Sequence, residues 1–565
     1  MSTPTLTTDV LIAGGGPCGL MLAIELGRRG VRCLLVDRKP STAFNPQANA
    51  TQARTMEHFR RLGFAQRVRA LGLPPDHPTD VAYLTRFAGR EMARLRLPTA
   101  AAATQMIRQL DGSWSAAELP HRVSQKFVEQ VLRDEAQALP GVDVRYGWVM
   151  QAHQDNDQGI DAIVRPVSAG DDRAQDVRVQ AQYLMAADGA RSGVRAQLGI
   201  EWEGATGIKR NFMGGRMLAV YLRAPDFYRL NPNDRAWMYV QVHPAQRSFI
   251  MSVDGVSEFA FHVQMPEGAD VDAVEPDTVR RLFAQASGLD IPIEILSMGP
   301  WLAGHALVAQ RLQAGRVFLG GDAAHLFTPT GGLGYNTAVE DAVNLGWKLA
   351  AVIKGQAPPA LLASYEQERK PLAQRNTTYA RGFADSIGLF DAVAELDDDS
   401  PAGAAARAVA GVALNAHVRR EFNIPGVTFG GRYEHSPIVV SDGSQAPPDA
   451  ANTYVPSACP GGRPPHLWLD DGSSLFDHFG FDWTLLALGT AAPDTQAFEA
   501  AAHAHRVELT VLRLPQAALV NLYEAPLVLI RPDHIVAWRG TSADNADQVL
   551  ARVLGFAPAA RGLWP

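Results

Sequence analysis

One short motif constrains the fold of this chain more than any other feature of its sequence. Gly14-Gly-Gly-Pro-Cys-Gly19 follows an apolar run, residues 9–13, and opens a stretch with apolar residues at helical spacing. A second apolar run, residues 31–36, ends at Asp37. Strand, glycine turn, helix and strand within about 30 residues are typical of the βαβ unit that binds a dinucleotide. The sequence therefore predicts a Rossmann-like domain at the N-terminus.

The residues of this motif have physical reasons to hold a pyrophosphate. Glycines let the backbone approach the phosphates closely, and the helix N-terminus offers free N–H groups and the positive end of its dipole. Asp37 is placed to accept a hydrogen bond from a ribose hydroxyl. Arg38 is either a contact to adenine or phosphate or an ordinary surface arginine. Because only one such motif occurs, we expect one tightly bound dinucleotide, held by Gly14, Gly16, Pro17, Gly19, Asp37 and Arg38.

Composition excludes several other classes of protein. Lys and Arg number 52 against 59 Asp and Glu, so the net charge of −7 predicts no broad surface for nucleic acid or anionic membrane. Three widely spaced cysteines, Cys18, Cys33 and Cys459, form neither a disulfide framework nor a Cys-x-x-Cys metal site. No apolar run approaches the ~20 residues that span a bilayer. We therefore expect a cytoplasmic enzyme without a metal site or a membrane span.

Hydrophobic patterning predicts an α/β fold in several units. We expect a Rossmann-like domain, a mixed or antiparallel sheet domain and a smaller C-terminal α/β domain. The resemblance to a known family that the motifs carry implies that the first domain is discontinuous and interleaved with the sheet domain, which would bind the substrate. A polar stretch near 154–175 predicts a hairpin or loop. The approximate bounds are 1–180 and 280–385 for the Rossmann-like domain, 181–279 for the sheet domain, 386–427 for a connection and 428–565 for the C-terminal domain, with part of 75–120 facing the substrate.

A second glycine-rich region predicts another part of the same ligand site. Residues 320–325 end a strand in Gly-Gly-Asp-Ala-Ala-His, and residues 328–336 open a long helix. Asp322, at the carboxyl end of a strand, can bind a ribityl hydroxyl, and the glycines expose amides at a helix N-terminus, where negative charge is stabilised. Asn336 is either the N-cap of this helix or a ligand contact.

These motifs, with several others, resemble those of the single-component FAD-dependent aromatic hydroxylases, the group A flavoprotein monooxygenases. The other matching segments are Arg54-Thr-Met-Glu57, Asp188-Gly189, 331–348 and 364–371, and order and spacing match over about 1–385. Residues from about 430, chiefly 433–443 and 530–538, resemble the thioredoxin-like C-terminal domain of the phenol-hydroxylase branch. That domain lacks a cysteine pair here, so we expect it to serve packing or oligomerisation rather than redox chemistry.

The resemblance implies roles for individual residues. Asp188 would lie between the flavin and the route of the nicotinamide, and Asp322 would hold the ribityl chain. Pro329 would lie near the edge of the flavin that reacts with oxygen. Leu333 and Gly334 would offer backbone N–H groups to the pyrimidine carbonyl and N1. Gln125 matches a glutamine near the ribityl chain or phosphate, and is otherwise a surface residue at a helix N-terminus.

The sequence departs from the family pattern where a catalytic base is usual. Gln47 stands where an arginine is common, Asn49 where phenol hydroxylases have an aspartate, and Gln52 where other branches have a histidine. Asn49 and Gln52, the residues at the catalytic positions, cannot act as general bases near neutral pH. Either the substrate binds already ionised, or another group accepts the proton.

Alternation along one predicted strand suggests candidates for the substrate pocket. Trp237, Tyr239, Gln241 and His243 would share one face of the sheet. If that face lines the pocket, Tyr239 and His243 orient or deprotonate a phenol; otherwise they are ordinary sheet packing and a rim histidine. Arg216 would attract an anionic substrate, or is a surface charge.

The function implied by the resemblance is hydroxylation of a phenolic or other electron-rich small aromatic substrate. NAD(P)H would reduce FAD, and O2 would supply one oxygen atom to the ring through a flavin C4a-hydroperoxide. Two alternatives remain: another flavoenzyme on this fold, such as a halogenase or reductase, and a non-catalytic flavin-binding regulator. The Trp-x-Trp-x-Ile-Pro signature of halogenases is absent. Relatives with the extra domain are commonly dimeric, so a homodimer is expected.

Overall fold

The computed structural model describes residues 4–167, 175–210, 212–214 and 216–556. Its strands are β1 Thr5–Thr7, β2 Val10–Ala13, β3 Cys33–Asp37, β4 Val81–Leu84, β5 Glu91–Leu95, β6 Val142–Tyr146, β7 Trp148–Asn156, β8 Gly159–Pro166, β9 Val177–Ala181, β10 Tyr183–Ala186, β11 Trp202–Ala205, β12 Arg216–Arg223, β13 Met238–Val242, β14 Arg247–Ser252, β15 Glu258–Gln264, β16 Glu294–Leu302, β17 Ala306–Ala309, β18 Gln313–Ala314, β19 Val317–Leu319, β20 His325–Leu326, β21 Trp483–Leu488, β22 Leu509–Leu514, β23 Leu527–Ile530 and β24 Val536–Gly540. Its helices are α1 Pro17–Arg28, α2 Ala53–Arg61, α3 Ala65–Arg69, α4 Ala100–Met106, α5 Gln125–Gln137, α6 Gly193–Gln197, α7 Phe227–Leu230, α8 Pro276–Ser287, α9 Leu333–Ile353, α10 Ser364–Gly388, α11 Pro401–Phe422, α12 Pro425–Phe429, α13 Gln496–Ala504, α14 Ala517–Tyr523 and α15 Ala546–Val553.

A six-stranded sheet in the order β18-β19-β10-β2-β3-β6 forms the Rossmann-like unit. All its pairings are parallel except that of β18 with β19. Strands β2, β10 and β19 are buried along their whole length, as expected where a parallel sheet is covered. Helix α1 packs against α9 and α5, and the glycine turn joins β2 to α1. The predicted βαβ unit is therefore present.

A four-stranded sheet, β1-β9-β8-β7, shares the hydrophobic core of this unit. Its strands β7 and β8 form an antiparallel hairpin that turns between Asn156 and Gly159. The hairpin or loop predicted near 154–175 is thus partly this turn, while residues 168–174 lie outside the described residues. A small three-stranded sheet, β11-β17-β20, lies beside the segment that follows Asp322.

The predicted substrate sheet has seven strands in the order β16-β12-β15-β14-β13-β4-β5. It is antiparallel except where β13 runs parallel to β4. The predicted bounds of 181–279 need correcting at both ends. Strand β10 belongs to the Rossmann-like sheet instead, whereas β4, β5 and β16 join the substrate sheet from outside that range. Hydrogen-bond pairing between distant segments decides membership, and local alternation does not reveal it.

The segment predicted as a connection, 386–427, is mostly helical. Helix α11 has 22 residues and its side chains Ala410, Leu414 and Val418 join the core on one face of the substrate sheet. It also packs against β5 and α10. This segment therefore closes one side of the substrate sheet rather than merely linking two domains.

The C-terminal unit has a four-stranded sheet in the order β22-β21-β23-β24. Strands β21 and β22 are parallel, and β23 pairs antiparallel with β21 and β24. The unit docks on α9, where the rings of Trp347 and Trp483 meet edge to face at 5.7 Å. In the described part of the chain, no helix combines the length and apolar character needed to cross a membrane.

Candidate active site

The glycine turn between β2 and α1 is built for close backbone contacts on one side and open space on the other. A Cβ atom on Gly14, whose φ is +112°, would lie 2.0 Å from the Ala187 carbonyl oxygen, and one on Gly19 would lie 2.0 Å from the Gly14 oxygen. A Cβ on Gly16 would meet no heavy atom within 4 Å. Pro17 is the first residue of α1, where its missing N–H costs nothing.

Asp37 shapes this turn from the end of β3. Its Oδ2 accepts a hydrogen bond from Gly15 N at 2.6 Å, and its Oδ1 accepts one from Lys39 N at 2.7 Å. Asp37 is partly exposed and Arg38 is exposed. Both residues thus stand beside the open side of the turn, where the sequence predicted contacts to a ribose and to adenine or phosphate. Those ligand contacts remain predictions.

Gln125, the first residue of α5, lies behind the loop that carries residues 43–49. Its Nε2 donates to Glu129 Oε1 at 2.7 Å, and its backbone N–H donates to Ala48 O at 2.7 Å. Glu129 Oε2 accepts from Ala43 N at 2.7 Å, and burial raises the pKa of Glu129. Sequence reasoning missed Glu129. Its signal was the spacing of four residues from Gln125, which places both side chains on one helix face.

Two aspartates follow strands β10 and β19 of the Rossmann-like sheet. Asp188 Oδ2 accepts a weak hydrogen bond from Val194 N at 3.3 Å, while its buried Oδ1 has no hydrogen-bond partner among the described residues. Asp322 is exposed to solvent, yet the surrounding protein desolvates its carboxyl and raises its pKa. Both observations fit a carboxylate on the floor of a narrow cleft.

Beneath Asp322 lies a fully buried carboxylate that sequence reasoning missed. Asp341 Oδ2 accepts from Gly321 N at 3.0 Å and contacts His325 Nε2 at 2.7 Å, and its Oδ1 accepts from Arg369 Nε at 2.8 Å. Burial alone would raise the pKa of Asp341, but His325 and Arg369 outweigh burial and lower it. Asp341 therefore anchors the backbone that presents Asp322.

The turn before α9 brings the predicted flavin-contacting residues together. Gly332 is the N-cap of α9 and has a left-handed φ of +65°, so Leu333 and Gly334 lie in the first turn, where backbone N–H groups have no acceptor within the helix. Pro329 is exposed at the start of this turn. These positions agree with the predicted contacts to a flavin ring, which stay predictions.

Asn336 is a cross-link rather than the N-cap of α9. Its Oδ1 accepts from Gln52 N at 2.8 Å, and its Nδ2 donates to Ala50 O at 3.0 Å and to Gly332 O. Gln52 Nε2 donates to Gly331 O at 2.9 Å. The capping alternative for Asn336 is therefore wrong, and Gln52 and Asn336 tie residues 50–52 to the turn before α9.

The other two departures from the family pattern lie on the same loop. Gln47 is exposed. Asn49 is buried, its Nδ2 lies 3.9 Å from Met251 Sδ, and its Oδ1 has no hydrogen-bond partner in the described part of the chain. Because Met251 pairs with Met238 across β14 and β13, the loop covers the sheet face that carries Met238 and Val240.

The predicted face of Trp237, Tyr239, Gln241 and His243 is corrected by the structure. Asp80 O accepts from both Trp237 N and Met238 N, which interrupts the alternation, and Trp237 joins Met238 in the core that includes Ala50. Tyr239 lies on the opposite face, in the core with residues of α8, and its hydroxyl accepts from Ala236 N at 2.9 Å. Tyr239 is thus a core residue on the side away from the 46–52 loop.

Gln241, His243 and Arg216 also lie away from the turn before α9. Gln241 is buried and its Oε1 accepts from Ser248 Oγ at 2.7 Å. His243 Nε2 lies 3.5 Å from Asp397 Oδ2 on the rim, and burial lowers the pKa of His243. Arg216 is exposed at the start of β12. The structure favours the packing and surface alternatives for these three residues.

Sequence reasoning missed a group of buried polar residues on the 46–52 side of the sheet. Thr51 and His121 exchange two backbone hydrogen bonds, of 2.9 and 2.8 Å, and so place Arg122 beside the loop. Arg122 is 8% exposed, and its guanidinium lies 4.3 Å from the centre of the Trp237 ring. The other members of the group are Tyr83, His417 and Glu421. Together with Arg122 they come from three separate segments, since His417 and Glu421 both lie on α11 and Tyr83 lies on β4, and no sequence motif connects them.

The residues around the turn fit a flavin dinucleotide. Open space at Gly16 leaves room for a pyrophosphate, Asp322 presents an exposed carboxylate, and Asp188 keeps one buried oxygen unpaired. Free amides at the start of α9 suit the negative charge of a reduced flavin ring. Among the described residues, no cluster of His, Cys, Asp or Glu is arranged to hold a metal ion.

Comparison with known families gives the cofactor and the class of reaction. A model described as an FAD binding domain matches residues 7–380, and one described as the C-terminal domain of aromatic-ring hydroxylases matches residues 457–557. The chain belongs to the FAD-dependent aromatic-ring hydroxylases. The predicted α/β fold class, the family and the hydroxylase function are confirmed, while the thioredoxin-like character of the C-terminal unit stays a prediction. This hydroxylase uses FAD as its cofactor, with NAD(P)H and O2 as co-substrates.

Individual relatives of this hydroxylase match over nearly its whole length. It is 32% identical to tetracenomycin B2 monooxygenase-dioxygenase of Streptomyces olivaceus, covering 96% of this chain and 97% of the relative. It is 30% identical to phenol 2-monooxygenase of Pseudomonas sp. strain EST1001, covering 96% and 91% respectively. Among solved structures, RebC with bound 7-carboxy-K252c superposes with a TM-score of 0.87 at 33% identity, covering 98% and 100%.

Proposed function

We propose that this hydroxylase acts on an electron-rich aromatic ring that carries an anionic group, a carboxylate or a phenolate, and that Arg122 binds that group. The observation that carries the proposal is Arg122 itself. Its side chain is buried, and within the described residues it forms no hydrogen bond and no ion pair within 4.0 Å. A buried charge without a partner is costly, and burial lowers the pKa of Arg122 to about 10. An anionic ligand would remove that cost.

The surroundings of Arg122 suit an aromatic acid. The guanidinium faces the Trp237 ring at 4.3 Å and the Phe422 ring at 5.9 Å, so flat apolar surfaces lie beside the charge. Glu421 is the carboxylate that faces Arg122 at longer range, but its Oε1 accepts a hydrogen bond from Gly331 N at 3.1 Å. Glu421 therefore does not replace the missing partner.

An ionised substrate also agrees with the missing base. Asn49 and Gln52 cannot accept a proton near neutral pH, and Gln52 already bonds the Gly331 carbonyl. Burial and the nearby Glu421 raise the pKa of Tyr83 well above its ordinary range, so this phenol stays protonated and can only donate or accept a hydrogen bond. A substrate that arrives as an anion needs no proton acceptor from the protein.

The division of labour in the reaction follows from these positions. Bound FAD supplies the reduction by NAD(P)H and the activation of O2. The glycine turn, Asp322 and the first turn of α9 would hold that cofactor. Arg122 would orient the ring through its anionic group, and the apolar sheet face around Met238 and Val240 would keep water out.

Three further features are part of the proposal. We propose that the C-terminal unit is a thioredoxin-like domain with a packing role, because the three cysteines are free and buried and form no pair. We propose that the protein works in the cytoplasm, where unpaired thiols persist.

We propose that it is a homodimer, as relatives with the extra domain commonly are. Light scattering of the purified protein would test this oligomeric state.

Replacing Arg122 with methionine tests the substrate class. We expect kcat/KM for a hydroxybenzoate or a nitrophenolate to fall about 100-fold, because a buried charge-assisted contact is lost. A neutral phenol of similar size should change less than about fivefold. The rate of NAD(P)H oxidation and the mass of the product measure turnover of the acidic and of the neutral substrate. The matched control, Arg216→Met, removes an exposed arginine and should leave both values unchanged.

A second readout needs no substrate. Because Arg122 is buried without a hydrogen-bond or ion-pair partner in the described part of the chain, Arg122→Met should leave the free energy of unfolding unchanged or raise it. The proposal is contradicted if Arg122→Met keeps the wild-type preference between the acidic and the neutral substrate.

A further inference from the structure

The turn at Gly331 and Gly332 has a left-handed backbone conformation, which is one of several that two successive glycines can adopt. Both residues have left-handed φ angles, +67° and +65°, a region that glycine enters without a Cβ penalty. A Cβ on Gly331 would lie 3.2 Å from the Phe383 ring, and one on Gly332 would lie 3.2 Å from Ala50 Cβ. Because glycine is flexible when unfolded, contacts from outside the turn must hold this conformation.

Two side chains hold the Gly331 residue from opposite sides. Glu421 Oε1 accepts a hydrogen bond from Gly331 N at 3.1 Å, and Gln52 Nε2 donates to Gly331 O at 2.9 Å. Glu421 lies 90 residues further along the chain, near the end of α11, and is 6% exposed. A buried hydrogen bond to an ionised carboxylate is stronger than one between neutral groups.

Glu421 is itself held in place by α10 and α11. Its Oε2 lies 3.0 Å from His417 Nε2, an ion-pair distance without hydrogen-bond geometry. His417 Nδ1 contacts Ser386 Oγ, and Ser386 Oγ donates to Phe383 O at 2.9 Å. The other titratable groups that face Glu421 are Arg122 and Tyr83. The carboxylate therefore has a defined position and direction.

We propose that Glu421 is a positioning residue for the turn that faces the flavin. By holding Gly331 N–H, Glu421 fixes the left-handed turn, and the turn sets the direction in which the amides of Leu333 and Gly334 point. The proposal rests on FAD lying against the start of α9, as in the family, and does not depend on the substrate bound by Arg122. It gives α11 a part in cofactor binding, although the helix lies outside the predicted FAD domain.

The test measures FAD binding to the apoprotein in the absence of any aromatic substrate. Glu421→Ala should raise the dissociation constant of FAD about tenfold or more and change the visible absorption band of the bound flavin. Glu421→Gln keeps an oxygen that can accept from Gly331 N–H, so it should stay within about threefold of wild type. If Glu421→Ala does not fold, Glu421→Asp replaces it, because its carboxylate is one carbon–carbon bond short of the turn and should weaken FAD binding likewise.

A matched control separates positioning from general stability. Glu118 is also buried, and its carboxylate is paired with Arg60 on α2 and Arg69 on α3 rather than with the turn. Glu118→Ala should lower the free energy of unfolding without changing the flavin spectrum. The proposal fails if Glu421→Ala binds FAD with the wild-type dissociation constant and spectrum, or if Glu118→Ala weakens FAD binding equally. If Arg122→Met did not change the preference between acidic and neutral substrates, the expected effect of Glu421→Ala on FAD binding would stay the same.

Discussion

Alanine at position 16 is expected to abolish measurable FAD binding while leaving the apoprotein folded. Gly16 has φ −81° and ψ −174°, a conformation that any residue adopts, and a Cβ there meets no heavy atom within 4 Å. The free energy of unfolding should therefore change by less than about 0.5 kcal/mol. The methyl group would occupy the space into which a pyrophosphate must fit, so we expect the dissociation constant of FAD to rise about 100-fold or more.

Gly14→Ala should behave differently from Gly16→Ala, because it should destabilise the fold itself. Its Cβ would lie 2.0 Å from Ala187 O and its φ is +112°, so we expect a loss of several kcal/mol in the free energy of unfolding. Gly299→Ala, on β16 with open space around the new Cβ, is the control and should change neither property. Urea unfolding and a flavin fluorescence titration measure them. If Gly16→Ala binds FAD with the wild-type dissociation constant, the pyrophosphate does not lie against Gly16.

Replacing Glu368 with glutamine is expected to lower the free energy of unfolding strongly. Its fully buried carboxylate accepts from Lys348 Nζ at 2.6 Å and from Arg531 NH1 and NH2 at 2.6 and 2.9 Å. Asn344 and Ser436 donate to it as well. An amide would leave two buried cations without this partner, so we expect the free energy of unfolding to fall by about 3–5 kcal/mol. Urea unfolding at pH 7 measures the difference.

The pH dependence gives this prediction a sign. Burial would raise the pKa of Glu368, but Arg531 and Lys348 outweigh it and lower the pKa below its ordinary value of 4.5. The carboxylate therefore stabilises the fold fully above about pH 4.5, and that stability is lost as the pH falls through its lowered pKa. The difference between wild type and Glu368→Gln should shrink over the same range.

A surface pair serves as the control for Glu368. Glu203 is exposed and lies 3.1 Å from Lys370, so Glu203→Gln should cost less than about 1 kcal/mol. Equal losses for the two variants would contradict the central role of Glu368. Since Lys348 lies on α9 and Arg531 in the C-terminal unit, a selective loss in Glu368→Gln would also show that the two units are coupled.

Segments with a strong local pattern were predicted well. The apolar runs and glycines of residues 9–37 predicted a βαβ unit, and the structure has β2, α1 and β3 there. The long helix predicted to open at residues 328–336 corresponds to α9, which begins at Leu333. Such patterns succeed because spacing alone decides which side chains of a helix or strand share a face.

Predictions that needed the partner of a segment were less successful. Alternation correctly placed Tyr239 and Gln241 on one face of β13, but it did not reveal on which side of the sheet that face lies. It could not show that Asp80 O bonds two successive amides at Trp237 and Met238. The predicted connection, 386–427, proved to contain α11, because its alanine-rich sequence gives no sign of the sheet it packs on.

The sequence by itself determined the cofactor domain and the residues that shape the glycine turns, since these depend on neighbours close along the chain. It also determined the family, through the order and spacing of motifs over about 1–385. Only the tertiary structure decided which buried polar groups meet the turn before α9. Glu421 reaches Gly331 across 90 residues, and Arg122 meets Trp237 through a bridge between Thr51 and His121. Such contacts follow from packing between distant segments, and no local spacing encodes them.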